Sequence, residues 1–242
     1  ASIMGAGYYQ PVTQWSQGEY ADANNKEDDL ATISGSINGA GYRADDFGNS
    51  AATARVLSGT SLNQFGIIET RSDSDWFSFS TGTGNVSLSI SNACQAWIYD
   101  GFGNTSATLL AGRSPNLDIA ASLYNASGTL IASSNALDSL SASFNLSLNA
   151  GTYFLQVDGV GFGDPLSAGY SDYGSLGQYL LTGSLTSTAN LVVSAPTTLL
   201  TSEAGGSASF SVRLSQAPTA NVVVSLASSK AQEGGLSITQ LS

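Results

Sequence analysis

Aspartates are the residues in this chain whose types and spacing could do chemistry, and that chemistry is cation binding. Asp45 and Asp46 are adjacent, and Asp73 and Asp75 stand two apart ahead of an alternating apolar run. Calcium takes about six to eight oxygen ligands, mostly carboxylates and carbonyls. A spacing of two on a loop can aim both carboxylates at one ion. If the first strand pairs beside that loop, all four acids share a cation. A weaker set is Asp158, Asp164 and Asp172, which stand among Gly159, Gly161, Gly163 and Gly169. For both sets the alternative is a turn-forming role, in which an aspartate hydrogen-bonds its own backbone. The sequence alone leaves the two readings open.

Other chemistries are removed by what is missing. The chain has no histidine, so neither a Ser-His-Asp triad nor a histidine-ligated catalytic zinc can be assembled from it. Its one cysteine, Cys94, has no partner for an internal disulfide and no histidine to activate it. It reads as a small buried hydrophobe. No feature points to the cleft that a glycosidase carboxylate pair needs.

Charge narrows the partners further. Seven basic residues against eighteen acidic ones give a net charge of −11. That balance argues against nucleic acid and against anionic lipid surfaces, and it suits divalent cations. No run approaches the ~18–20 apolar residues of a spanning helix, so no membrane insertion is expected. The first residues lack the basic and long apolar regions of a signal peptide. The chain opens without an initiator methionine and closes within a strand-like alternation, so a piece of a longer polypeptide is expected.

The elements that must position the acids are mostly strands. In residues 42–186, Phe77 and Phe79 alternate with serines. Val86, Leu88 and Ile90 do the same, Phe144, Leu146 and Leu148 alternate with Asn145 and Ser147, and Tyr153, Leu155 and Val157 repeat the two-residue period. Period-two alternation with polar residues between means one face in a core and one in water. Turns such as Gly82-Thr83-Gly84-Asn85 and Asn149-Ala150-Gly151 separate the runs. The expected fold is all-β, an antiparallel β-sandwich or jelly roll. Residues 93–114 read as an insertion, expected to form a long hairpin. Residues 1–34 differ, with Asn25 able to cap a short helix that ends near Gly35. Residues 35–41 form a glycine-rich joint. Residues 187–242 read as a partial second β unit, shorter than the ~100 residues of an immunoglobulin-like sandwich.

Aromatic residues supply a second kind of candidate. Tyr170, Tyr173 and Tyr179 could present a binding surface or could pack a loop through their hydroxyls. Trp76 and Trp97, if they face outward, are the first candidates for ligand contact.

Three stretches carry resemblances. Ser2-Ile3-Met4-Gly5-Ala6-Gly7-Tyr8-Tyr9, with Thr13-Gln14-Trp15-Ser16-Gln17-Gly18-Glu19-Tyr20, resembles the end of a metzincin-type zinc peptidase domain. The resemblance implies that Met4 is the methionine of the turn beneath the metal. It also implies that the zinc helix, H-E-x-x-H-x-x-G-x-x-H, lies upstream of Ala1. Residues 42–186 resemble the bacterial pre-peptidase C-terminal (PPC) domain. The landmarks are Asp45-Asp46-Phe47-Gly48-Asn49-Ser50, Asp73-Ser74-Asp75-Trp76-Phe77, Leu148-Asn149-Ala150-Gly151-Thr152-Tyr153 and Val157-Asp158-Gly159. That family implies a non-catalytic β-sandwich appended to secreted peptidases, with calcium and collagen binding in some collagenase relatives. Ser202-Glu203-Ala204-Gly205-Gly206-Ser207 resembles an immunoglobulin-like or Calx-β-like module.

Together these imply a secreted or cell-surface, non-catalytic accessory region of a zinc metallopeptidase. It would assist export or folding, or bind a protein or polysaccharide substrate, and calcium would stabilise it. Zinc belongs only to the upstream peptidase domain, its partner in cis. The alternative is a structural or adhesive module of an extracellular stalk or filament.

Overall fold

The computed structural model describes residues 13–35, 37, 39, 41–99, 105–110, 115–188, 190–202, 204–215 and 221–241, with backbone alone for 94–99 and 105–110. Met4 lies outside the described residues, and so do the side chains of Cys94 and Trp97. The chain divides into two compact units, Ala1–Ser187 and Thr188–Ser242.

The first unit is a sandwich of two sheets. One sheet is built from β1 (Arg55–Val56), β3 (Ser74–Thr81), β10 (Gly151–Gly159), β7 (Ile119–Asn125) and β8 (Leu130–Ser134), in that spatial order. The other is built from β2 (Ser61–Ile68), β11 (Gly177–Ser184), β4 (Gly84–Asn92) and β9 (Ala142–Leu148). Within the two sheets every pairing is antiparallel except β1 on β3. Between β4 and β7 the backbone forms a hairpin, β5 (Cys94–Tyr99) with β6 (Thr105–Leu110).

The alternation in the sequence is the alternation in burial. Phe77, Phe79, Val86, Leu88, Ile90, Leu123, Leu155, Val157, Tyr179 and Leu181 face the space between the sheets and form one continuous core. Between them the serines of β4 are exposed. Burying such side chains stabilises by about 1.5–3 kcal/mol each, which offsets the ordering of the strands. Phe77 meets Tyr179 edge to face at 6.5 Å, so the two sheets touch through aromatic rings.

An N-terminal arm lies on this sandwich. Thr13 donates through its backbone N–H to the Pro115 carbonyl at 3.3 Å and through its hydroxyl to Asn116 at 2.9 Å. The arm ends in the helix α1 (Asp29–Ser34). Its cap is Asp28, whose Oδ1 accepts from the Ala31 N–H at 2.8 Å. This corrects the expectation that Asn25 caps it. The Asn25 side-chain Oδ1 instead accepts from the Glu27 N–H, closing a local turn. Asp28 wins because Tyr173 also donates to it, at 2.5 Å, and so fixes its side chain from outside the arm. Close approach of arm and sandwich depends on Gly174, where a Cβ would lie 2.8 Å from the Gln14 Cβ and 2.9 Å from the Trp15 carbonyl oxygen.

The second unit pairs β12 (Leu191–Ser194) with β13 (Ser211–Leu214) and β14 (Val224–Ser225) with β15 (Gln240–Leu241), both antiparallel. Among the described residues no helix is long and apolar enough to cross a membrane.

Candidate metal centre

The turn joining β2 to β3 carries the first two acids. β2 runs into Glu69, and the Asp73 N–H closes the turn on the Thr70 carbonyl at 3.1 Å. The chain therefore folds back on itself, so that Glu69 and Asp73 flank one turn and the Glu69 N–H donates to Asp73 Oδ2 at 3.2 Å. Asp75 follows two residues on, opposite Val157, with its side chain directed into the sandwich.

The chain entering β1 brings the other acids. Asn49 ties the two segments together. Its carbonyl oxygen accepts from the Ser74 N–H at 2.6 Å, and its amide donates to Asp45 at 3.0 Å. The Trp76 N–H donates to the Gly48 carbonyl at 3.3 Å. Asp46 sits where its carboxylate meets the Ile67 backbone. The result is a group in which one carboxylate oxygen each from Asp45, Asp73 and Asp75 lie within 4.8 Å of one another. Calcium–oxygen distances of ~2.3–2.6 Å put opposed ligands about 5 Å apart, so one ion can touch all three.

Burial makes this group unusual. Asp75 is 0% exposed, Asp73 5% and Glu69 7%. Among the described residues, Asp75 Oδ1, Asp73 Oδ1 and both oxygens of Glu69 have no hydrogen-bond donor. Nor does any lysine or arginine among those residues pair with the group. Arg71, in the same turn, is exposed and reaches outward to Asp172 at 2.7 Å. Two like charges ~4 Å apart repel by about 4 kcal/mol at an effective dielectric of ~20. Fully ionised and without a cation, the group would work against the fold.

The proton affinities respond accordingly. Burial, then the Asp73 carboxyl, pushes Glu69 up to about 9. Burial pushes Asp75 up to about 8, against the opposing pull of the Tyr179 hydroxyl. Burial raises Asp73 too, and it takes Asp46 to about 6 with Asp73 and Asp45 adding to the effect. Burial thus favours the protonated form of both Glu69 and Asp73 when no cation offsets their charge.

A further donor reaches the group from the opposite sheet. The Tyr179 hydroxyl crosses from β11 and donates to Asp75 Oδ2. Its ring stands over Gly66, its register partner on β2, where a Cβ would lie 2.3 Å from the ring and hydroxyl.

The second aspartate set is not brought together as one metal-sized group. Asp158 is half-buried at the end of β10, opposite Ser74, and is pushed up to about 6 by burial, with Asp73 and Asp172 adding to the rise. It therefore belongs electrostatically beside the first group. Asp164 builds a turn, accepting from the Leu166 N–H through Oδ1 and from Ser167 and Gly169 through its carbonyl. Asp172 pairs with Arg71.

The aromatic candidates separate in the same way. Trp76 is half-buried on the outer face of its sheet and stacks on Tyr124 at 5.2 Å. Tyr173 is buried, its hydroxyl spent on Asp28 and the Leu30 N–H. Tyr170 donates to Asp118 at 2.8 Å. Asp118 is itself a buried carboxylate raised by desolvation, with Oδ1 lacking a donor among the described residues. Glu69 and Asp118 are the residues that sequence reasoning missed. For Glu69 a signal existed, since an acid ending an apolar strand four residues before Asp73 must face it across a tight turn.

No family model matches the sequence, and no curated protein matches it. Among solved structures, the chain is similar to the crystal structure of the pre-peptidase C-terminal domain of collagenase from Bacillus anthracis, at 16% identity and a TM-score of 0.35, covering 58% of this chain and 97% of that one.

Proposed function

We propose that this chain is a calcium-stabilised, non-catalytic β-module that serves as an accessory to a secreted zinc peptidase. The observation that carries the cation is the pair of buried carboxylate oxygens left without donors at Asp73 and Asp75, which with Asp45 form a group of ion-sized dimensions. Oxygen-only donors suit calcium and magnesium rather than zinc. Asp45, Asp73 and Asp75 would hold the ion, and its charge would offset the burial of Glu69 and Asp46 beside them. The ion would supply charge neutralisation and a cross-link between the segment entering β1 and the β2–β3 turn. What supports a non-catalytic role is the absence of histidine from all 242 residues. The peptidase context is supported by the Met4-Gly5 and Trp15-Ser16-Gln17-Gly18-Glu19-Tyr20 stretches of the sequence and by the order of landmarks in residues 42–186.

The test is calcium titration of the chelator-stripped chain, read by calorimetry and thermal unfolding. At calcium about 100 times its Kd the native state gains about 2.7 kcal/mol. For a chain of this size that is a rise in Tm of roughly 5–10 °C. Asp75→Asn and Asp73→Asn should lose most of it. A Tm indifferent to calcium would sink the cation reading. The peptidase attachment is checked separately, in the reading frame upstream of Ala1, where H-E-x-x-H-x-x-G-x-x-H is expected.

A further inference from the structure

Between the arm and the loop that follows β10 there is a cleft of about 330 Å³, lined by Trp15, Glu19, Tyr20 and Tyr170. It lies outside the acid group and makes no use of the cation. At ~300–1,000 Å³ for small-molecule sites, this volume is at the lower end and suits one side chain better than an oligomer.

The lining has a consistent chemistry. Among the described residues, three aromatic residues and one carboxylate face the cleft, and no lysine or arginine lines it. Trp15 and Tyr170 are half-buried and Tyr20 is exposed. Glu19 is held by two neighbours, Gln17 through its amide and Ser171 through its hydroxyl. A carboxylate has about four acceptor positions, so two remain for a ligand. Gln14, buried in the same wall, leaves its amide nitrogen without an acceptor among the described residues. Aromatic faces attract cations, and a flat guanidinium stacks on them better than an ammonium does. A fixed carboxylate adds charge-assisted hydrogen bonds to the same ligand.

We infer that this cleft receives an arginine side chain of a protein partner, its guanidinium set against Glu19 and the aromatic wall. The site exists only while the arm is docked, so binding reports on the arm as well as on the ligand.

The test uses the full chain and Trp15 fluorescence. N-acetyl-arginine amide should bind saturably in the millimolar range, weaken severalfold in 0.5 M salt, and give no signal with Trp15→Phe. N-acetyl-citrulline amide, which has the same shape without the charge, should bind at least ~10-fold more weakly. Glu19→Gln should cost a comparable factor. Because that change also alters the bond to Ser171, Ser171→Ala serves as the second variant. It loosens the strut, keeps the charge, and should retain affinity within about twofold. Citrulline binding as well as arginine, Ser171→Ala losing as much as Glu19→Gln, or a neutral methyl glycoside binding regardless of Glu19 would each overturn the proposal.

Discussion

The Tyr179 hydroxyl donates to Asp75 across the interior of the sandwich, from one sheet to the other. Asp75 is fully buried, and this is the donor its Oδ2 has. The phenol thereby ties the acid group to the core, because the same ring packs edge-on against Phe77. Tyr179→Phe keeps the ring and removes the hydroxyl, leaving a buried acceptor unpaired. The expected loss is about 1–3 kcal/mol, read as a shift in urea midpoint with unchanged slope. A loss below ~0.5 kcal/mol would mean that water replaces the hydroxyl and that the group is wetter than its burial indicates.

Gly66 is the counterpart of that contact. A methyl group there would stand 2.3 Å from the Tyr179 ring and hydroxyl, which are pinned by Asp75 on one side and Phe77 on the other. Gly66→Ala should therefore behave as overpacking and cost ~1–3 kcal/mol or more. Near-ultraviolet circular dichroism of the tyrosines should change together with the stability. An unaltered spectrum at full stability would show that the ring has room to move.

Glu69 allows a prediction whose sign depends on the cation. In chelator it is one more buried carboxyl among acids, with no donor to either oxygen among the described residues. Its pKa is pushed up to about 9, so the native state holds a proton there that the unfolded chain releases at neutral pH. Glu69→Gln removes that cost, so the chelated protein should gain stability. In saturating calcium the same change removes a carboxylate beside the ion, so the calcium-dependent rise in Tm should shrink. Thermal unfolding of both proteins with and without calcium checks the inversion. Destabilisation of similar size in both conditions would make Glu69 a packing residue.

Much of this was legible before folding, and the exceptions share a cause. Phe77, Phe79, Val86, Leu88 and Ile90 declared their faces because a strand has a period of two and the intervening positions are polar. Asp73 and Asp75 declared themselves by lying two apart at the mouth of such a strand. Glu69 did not, since an acid closing a strand looks like a solvated end until the turn brings it back against Asp73. Asn25 and Asp28 are both good helix caps, and the choice between them is made by Tyr173, 145 positions away from Asp28. The sequence groups Asp158 with Asp164 and Asp172 because its neighbours along the chain are glycines and Asp164, whereas in the fold both Asp73 and Asp172 act on its charge. In the fold its neighbour is Ser74, across the ladder from β10 to β3.

The docking of the arm rests on Tyr173, whose hydroxyl donates to Asp28 and accepts from the Leu30 N–H at 2.9 Å. Tyr173→Phe deletes both bonds and leaves the cap of α1 without its outside support. Lys26 lies in the exposed stretch just before that cap and gives trypsin a place to cut. Cleavage after Lys26 should become several times faster in the variant, followed by mass spectrometry under native conditions. The midpoint of sandwich unfolding should move far less. Equal cleavage rates would show that the remaining arm contacts, at Thr13 and Gly174, suffice.

Asp118 provides the pH dependence that does not involve the acid group. It is buried beside Tyr170, and desolvation raises its pKa above the ordinary carboxylate range, against the pull of the Tyr170 hydroxyl. A raised folded pKa means that the native state favours the protonated acid. The stability it contributes is therefore complete below the unfolded value of ~3.9 and is lost as pH rises through the folded value. Asp118→Asn keeps an acceptor for the Tyr170 hydroxyl and cannot ionise. It should flatten the fall in stability as pH rises above ~4 through the folded value, and leave the variant the more stable protein beyond it. Urea midpoints across that range, in calcium so that the other carboxyls stay occupied, measure the difference. If the wild-type and Asp118→Asn curves run parallel, the ionised carboxylate is being solvated in place, and the Gly161–Gly174 loop that Tyr170 anchors must open to let water in.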